Sequence, residues 1–259
     1  MTENTRGGPP PDHGSRDEGG RPPDGGLGAV PLLLSSPAAA FARLRARPQW
    51  WGLLALCAAA AGLAGWIALP QMLEEEARVM ADVVERFDMP PDQAEKLLAT
   101  VTDPEDVGAS ELFQRVGGAV LSTAVALFVG LVAFHWIARA SGCEPMFRQS
   151  GAVFFLAAVA SAAGALLKGV LIRVTGSIGV TLGPGALVPG LEPESAAAAF
   201  LDLLDVFSLV NLWLLATGVG VVFGAARGTA WVVAGAYWIL KSIVVFVMVL
   251  FRVWLAGNL

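Results

Sequence analysis

Five apolar runs decide what this chain can fold into. They cover roughly Trp50–Leu69, Val116–Ala138, Gly151–Ile172, Phe207–Gly224 and Ala230–Phe251. At a rise of about 1.5 Å per residue, about 20 mainly apolar residues cross the hydrocarbon of a bilayer as a helix. A soluble chain of 259 residues would rarely tolerate five such segments. The runs therefore predict an all-α, polytopic integral membrane protein with five transmembrane helices. A hydrophobic fraction of 55% and a charged fraction of 15% agree, and leave no room for a large soluble catalytic domain.

The segments outside the runs divide the chain into a tail and a membrane domain. Residues 1–35 open with a polar stretch rich in Gly and Pro, which cannot bury enough apolar surface to offset its ordering entropy. They are expected to form a disordered cytoplasmic tail, with Val30–Leu34 touching the membrane surface. Residues 36–259 are expected to form the five-helix domain. Ser36 reads as an N-cap with Pro37 at the first helical position, ahead of a helix over Ala38–Ala46. That helix carries Phe41 and Leu44 beside Arg43, Arg45 and Arg47, the pattern of an interfacial helix lying on anionic lipid. Trp50 and Trp51 then mark the headgroup level.

Residues 71–115 form an acidic loop with twelve acidic and four basic residues. Met72, Met80, Val83, Val84 and Phe87 recur at helical spacing within it. Pro90 and Pro91 end that helix, and a short one over Asp92–Val101 ends at Asp103-Pro104. The fourth helix is expected to begin before the lipid, near Ser195, and to run on through its span. Residues 225–229 leave the last two spans as antiparallel neighbours. The arginine triplet before the first span places the N-terminus in the cytoplasm, and five crossings then place the C-terminus outside. The expected location is a multi-pass protein of a bacterial inner membrane.

Catalytic and metal-binding signatures are missing from the pattern. The two histidines are His13 in the tail and His135 near the inner end of the second span, and neither HExxH nor GxSxG occurs. The acidic loop lacks the spaced ligands and Gly of an EF-hand. Cys57 and Cys143 read as small unpaired residues at different depths. Scattered basic residues give no nucleic-acid footprint. No cofactor and no enzymatic activity are expected. Ala216, Gly220 and Gly224 form a small-xxx-small stripe suited to close helix packing.

The informative residues are the polar ones within the spans: Lys168, Asp202, Asp205, Ser208, Asn211 and Lys241. A charge at mid-bilayer costs about 2.5–3.5 kcal/mol on insertion scales, so each needs a reason. Counted from the inner span ends, Lys168 lies about 26 Å up, Asp205 about 28 Å, Asn211 about 20 Å and Lys241 about 16 Å. Lys168 and Asp205 match in depth and can pair, whereas Lys241 more naturally meets Asn211 or Ser208. One reading is a polar cavity or ion path. The other is structural: a pair near the interface, where Lys snorkels, plus one buried lysine hydrogen-bonded to an amide.

The stretch Phe200-Leu-Asp-Leu-Leu-Asp205-Val-Phe-Ser208-Leu-Val-Asn211-Leu-Trp-Leu-Leu-Ala-Thr-Gly218 resembles the fourth-span signature of the Yip family, the Ypt/Rab-GTPase-interacting proteins, in its bacterial branch of five-span membrane proteins. The Ser36-Pro37, Phe41, Arg47-Pro48 and Trp51 pattern, the acidic first loop and the small-residue turn into the last span are similar to the family as well. The resemblance implies five helices, a cytoplasmic N-terminus and no enzymatic activity. Eukaryotic members act in vesicle traffic and membrane shaping through prenylated small GTPases and through each other. The family's cytoplasmic Asp-Leu-x-Gly-Pro and third-span Gly-Tyr elements are absent here, and Val210 stands where Trp is common. Small-GTPase binding is therefore doubtful. The expected function is a membrane scaffold, organiser or trafficking-type adaptor acting through helix–helix contacts. Its partners would be the lipid bilayer, further copies of itself or another membrane protein. The alternative is a small-solute or ion transporter using Lys168, Asp202, Asp205, Asn211 and Lys241.

Overall fold

The structure is a computed structural model that describes residues 26–98, 108–188, 196–202 and 204–258. A 3-10 turn at Gly26–Ala29 leads into α1 (Leu32–Ser35), α2 (Pro37–Ala46), α3 (Trp51–Arg86), α4 (Pro91–Leu98), α5 (Ala109–Ala140) and α6 (Phe147–Thr175). A second 3-10 turn, Pro184–Leu187, precedes α7 (Ala196–Asp202), α8 (Val206–Phe223) and α9 (Arg227–Asn258). The five predicted runs fall on α3, α5, α6, α8 and α9, and each of these helices is long and apolar enough to cross a bilayer.

The pairings alternate in direction as five crossings require. α3 and α6 run parallel, with Trp50 at Gly151, the Cys57 thiol at the Phe155 carbonyl, and Ala64 at Gly169. α5 runs against α3, with Val120 at Gly62 and Arg115 at Glu76. α8 runs against α6, with Gly218 at Val153 and Phe207 at Gly164. α9 returns beside α8 and places Tyr237 against Phe134 of α5 and Phe154 of α6, at ring-centroid distances of 5.8 and 5.5 Å. This edge-to-face aromatic group fills the space among α5, α6 and α9. α6 carries the longest buried run, Ser150 to Ala158, and is the axis of the core.

The first loop is largely an extension of the spans. α3 has 36 residues, about 54 Å, so it crosses the hydrocarbon and continues well beyond it. Pro70 sits inside α3 without ending it, although a proline withdraws one helical N–H. The helical spacing seen over Met72–Phe87 thus belongs to the same helix as the first span. The helix ends at Arg86, before Pro90 and Pro91, as the sequence implies. α5 begins early and comes back along α3, where Arg115 joins Glu76 at 2.9 Å and Glu111 at 3.0 Å. The C-terminal part of the predicted Asp92–Val101 helix and the Asp103-Pro104 stop lie outside the described residues, as does the tail up to residue 25.

At the opposite end, two expectations are corrected. α2 does not lie on lipid: Ala40, Phe41 and Leu44 are completely or almost completely buried against α8 and α6. Trp50 is buried too and stacks on Phe155 at 5.1 Å, whereas Trp51 is exposed at the level its neighbour was expected to share. An apolar stripe flanked by arginines suits a protein groove as well as a membrane surface, and here α8 supplies the groove. The Arg45 guanidinium donates to the Val221 carbonyl at 3.4 Å, in the last turn of α8 where helical carbonyls lack partners. Arg43 donates to the Gly28 carbonyl at 3.1 Å. Residues 26–35 are folded onto this end, with Ala29 fully buried.

Candidate functional site

The fourth span is not entered by one continuous helix. α7 ends at Asp202 and α8 starts at Val206, with Asp205 as the N-cap of α8. The Phe207 and Ser208 backbone N–H groups donate to Asp205 Oδ1 at 2.7 and 2.9 Å, and the Ser208 hydroxyl donates to Oδ2. A helix end in or near lipid has no water to satisfy its first N–H groups, so an Asp at this position has a structural purpose. The carboxylate that the sequence offered as a charge partner is committed first to its own helix. The signal was legible as Asp205 standing immediately before a mainly apolar run, with Ser208 three residues on. Helix-favouring Ala196–Ala199 upstream concealed the break.

Beside this cap lies a cavity of about 250 Å³. α6 lines it with Ser161, Gly164, Ala165 and Lys168, the α8 start with Asp205, Phe207 and Ser208, and α9 with Lys241, while Leu182 comes from the α6–α7 connection. Lys168, Asp205, Ser208 and Lys241 therefore meet around one space. Asn211 lies one turn further along α8 and is not among its lining residues. The side chain of Asp202 lies outside the described residues. Sequence reasoning missed Ser161 and Gly164, which carry no charge to mark them. The Gly164 position matters because a Cβ there would meet the Phe207 ring at 2.7 Å.

The predicted packing stripe is only partly a contact surface. Ala216 is buried, and Gly220 faces the turn into α9 with Ala230 at 4.0 Å from its Cβ position. Gly224 is the left-handed C-cap of α8 (φ 69°) and its Cβ position meets nothing within 4 Å. The neighbouring Gly218 is packed more closely: a Cβ there would lie 2.6 Å from Val153 and 2.8 Å from the Phe41 ring. His135 is at the arginine-rich end, where its Nδ1 is 2.9 Å from the Oγ of the fully buried Ser150. Among the described residues, no three of His, Cys, Asp or Glu come together as a metal-ligating group.

The cap gives a prediction. Asp205→Ala should lower stability by about 1–2 kcal/mol through the lost cap, and Asp205→Asn should recover most of it by keeping an acceptor for the same N–H groups. Thermal unfolding of the detergent-solubilised chain measures both. Equal destabilisation by the two variants would mean that the negative charge, not the acceptor, holds the site.

Five apolar helices, alternating in direction, with a polar cavity among α6, α8 and α9 beside a capped helix start, define a multi-pass α-helical membrane protein. The chain belongs to the Yip1 domain family, whose model matches residues 32–249. It is similar to "Membrane protein YknW" of Bacillus subtilis (strain 168), with 22% identity over 202 residues, covering 78% of this chain and 81% of that relative. No solved structure matches it.

Proposed function

We propose that the protein is a non-enzymatic membrane organiser or adaptor that works through lateral helix–helix contacts, with a second copy or another membrane protein as partner. The observation that carries this reading is the uneven burial of the spans. In the most apolar stretch of each helix, 39%, 33% and 33% is buried for α3, α6 and α8, but only 6% for α5 and 11% for α9. Two long helices thus bury few of their apolar residues fully and leave the rest half-buried or exposed. Trp136 and Val129 on α5, and Trp231, Ile243, Val247 and Trp254 on α9, are among the exposed large side chains. Packing between helices in lipid rests on such surfaces and on small residues, since lipid chains are as apolar as the helices themselves.

The polar groups support the same reading. Asp205 and Ser208 serve the helix start, and Phe134, Phe154, Phe155 and Tyr237 pack the bundle between the cavity and the other end. The thiol of Cys143, in the α5–α6 turn, is raised in pKa by burial, which disfavours the nucleophilic thiolate. In this reading the protein lies in a bacterial inner membrane with the arginine-rich end and the N-terminus in the cytoplasm.

The test is a paired measurement on the full chain in liposomes. Lateral association is read by cross-linking Trp136→Cys and Ile243→Cys variants, and transport by release of entrapped ions and small solutes. Cross-linking without release is the expected result. Release that Lys241→Leu abolishes while the variant still assembles would overturn the reading in favour of a small-solute or ion transporter using Lys168, Asp205 and Lys241.

A further inference from the structure

The end of the bundle where α5 and α8 finish and α3, α6 and α9 begin gathers arginines from four elements. Arg43, Arg45 and Arg47 come from α2 and its C-cap, Arg139 from α5, Arg148 from α6 and Arg227 from α9. Glu144, in the α5–α6 turn, is the acidic residue described there. Arg43 and Arg45 donate to backbone carbonyls, which orients their charge without cancelling it. Arg47, Arg139, Arg148 and Arg227 are exposed, and the ion pairs among the described residues lie elsewhere, on Arg78, Arg86 and Arg115. The acidic groups of residues 1–25 cannot reverse the sign of this end. With all of them included, residues 1–50, 139–150 and 225–229 hold nine arginines against six carboxylates, a balance of +3, while the rest of the chain carries −8.

Three helices mark the depth of this charge with an exposed tryptophan. Trp51 opens α3, Trp136 lies one turn before the end of α5, and Trp231 lies one turn into α9. Indoles favour the level of the lipid headgroups, where the ring meets hydrocarbon and the N–H meets polar groups. Each of the three has an arginine on its outer side. Arg139 follows Trp136 by three residues, with its guanidinium carbon 6.0 Å from the indole ring centre. Arg227 precedes Trp231 by four residues, so both fall on one face of α9. Arg47 precedes Trp51 across the turn from α2 to α3. The guanidiniums thus stand just beyond the indoles, at the depth of lipid phosphates. They belong to the flanks of α5 and α9, the two spans with the least buried surface, where the neighbour is lipid rather than water.

We propose that this end binds anionic phospholipid headgroups, with Arg139 beside Trp136 and Arg227 beside Trp231 as the gripping pairs. A guanidinium offers two parallel N–H donors to a phosphate, and the indole N–H adds a third. Arg47 and Arg148 strengthen the attraction around them. The full chain is reconstituted in phosphatidylcholine vesicles in which a rising share of the lipid is brominated phosphatidylglycerol or brominated phosphatidylcholine. Quenching of tryptophan fluorescence then gives the relative affinity for the two lipids, and the unfolding temperature of each variant reports whether it is folded.

At low salt, phosphatidylglycerol is expected to be preferred roughly threefold or more, and salt at about 1 M should bring the two lipids close to parity. Arg139→Gln/Arg227→Gln should lose most of the preference at an unchanged unfolding temperature. Arg139→Lys/Arg227→Lys should keep part of it, because the charge stays while the two-donor geometry is lost. Arg173→Gln removes an exposed arginine at the far end of α6 and should change little. Equal quenching by the two lipids in the parent chain would overturn the proposal, as would an undiminished preference in the folded Gln variant. An equal loss in Arg173→Gln would also overturn it, since the effect would then belong to overall charge and not to this end. Soluble poly-glutamate that binds the parent but not the Gln variant, without any lipid preference, would assign the surface to an acidic protein instead.

Discussion

Gly169→Leu is expected to leave little folded protein in the membrane. α6 approaches α3 so closely at this point that a Cβ on residue 169 would lie 2.8 Å from the Ala64 carbonyl oxygen and 3.1 Å from its Cα. Both are backbone atoms, which cannot swing aside as a side-chain tip can. α3 is prepared for the approach by Ala60, Ala64 and Ala68, all buried on one stripe. In lipid, helices gain nothing from hiding apolar surface from water, so close packing and dispersion carry the association. Overfilling a packed interface costs about 1–3 kcal/mol, sometimes more, and a Leu against backbone belongs at the upper end. Gly169→Ala should be milder, because about 1 kcal/mol of helix propensity returns to offset the clash. Gly235→Ala is the control: its Cβ position meets nothing within 4 Å, so only the propensity gain remains and stability should rise slightly. The measurement is the yield of monodisperse protein in detergent and its unfolding temperature. A Gly169→Leu chain as stable as the parent would mean that α3 and α6 do not pack as described.

The five spans were legible because bilayer thickness imposes a length on every apolar run, and the run at Phe207–Gly224 became α8, Val206–Phe223, to within one residue. The polar cluster was legible for the same reason in reverse. Lys168, Asp205 and Lys241 are costly in hydrocarbon, so their positions point to a purpose, and the fold brings all three to one cavity. Which small residues do the packing was not legible. The chain has 30 glycines, and a small-xxx-small pattern occurs on several helix faces. The stripe at Ala216, Gly220 and Gly224 fits the pattern as well as Ala60, Ala64 and Ala68 do, yet Gly224 turned out to be a helix cap. Only the partner surface distinguishes them, and it lies far away in sequence. The aromatic group of Phe134, Phe154 and Tyr237 escaped notice for a related reason. In a span full of apolar residues, a Phe that faces the core and one that faces lipid look alike.

The same ambiguity governs α2, and Phe41→Ala resolves it by experiment. Phe41 is completely buried between α2 and the bundle, with its ring 2.8 Å from the Cβ position of Gly218. Truncating a buried Phe to Ala costs about 3–5 kcal/mol through lost contacts and the cavity left behind. The value here should fall near the lower end, because an undocked α2 can rest on the membrane surface and recover part of the burial. Had α2 lain on lipid from the start, the same substitution would change little beyond its membrane affinity, and the bundle would not register it. Two readouts separate the cases. The unfolding temperature should fall by several degrees for a destabilisation of this size in a domain of this length. Limited trypsin digestion should also cut after Arg43 and Arg45 much faster, since both are held by the Gly28 and Val221 carbonyls only while α2 is seated. An unchanged unfolding temperature with unchanged cleavage would return α2 to the membrane surface. Gly218→Leu approaches the same contact from α8: it meets both Phe41 and Val153, so it should release α2 and also loosen the α6–α8 packing, giving a larger fall in unfolding temperature than Phe41→Ala.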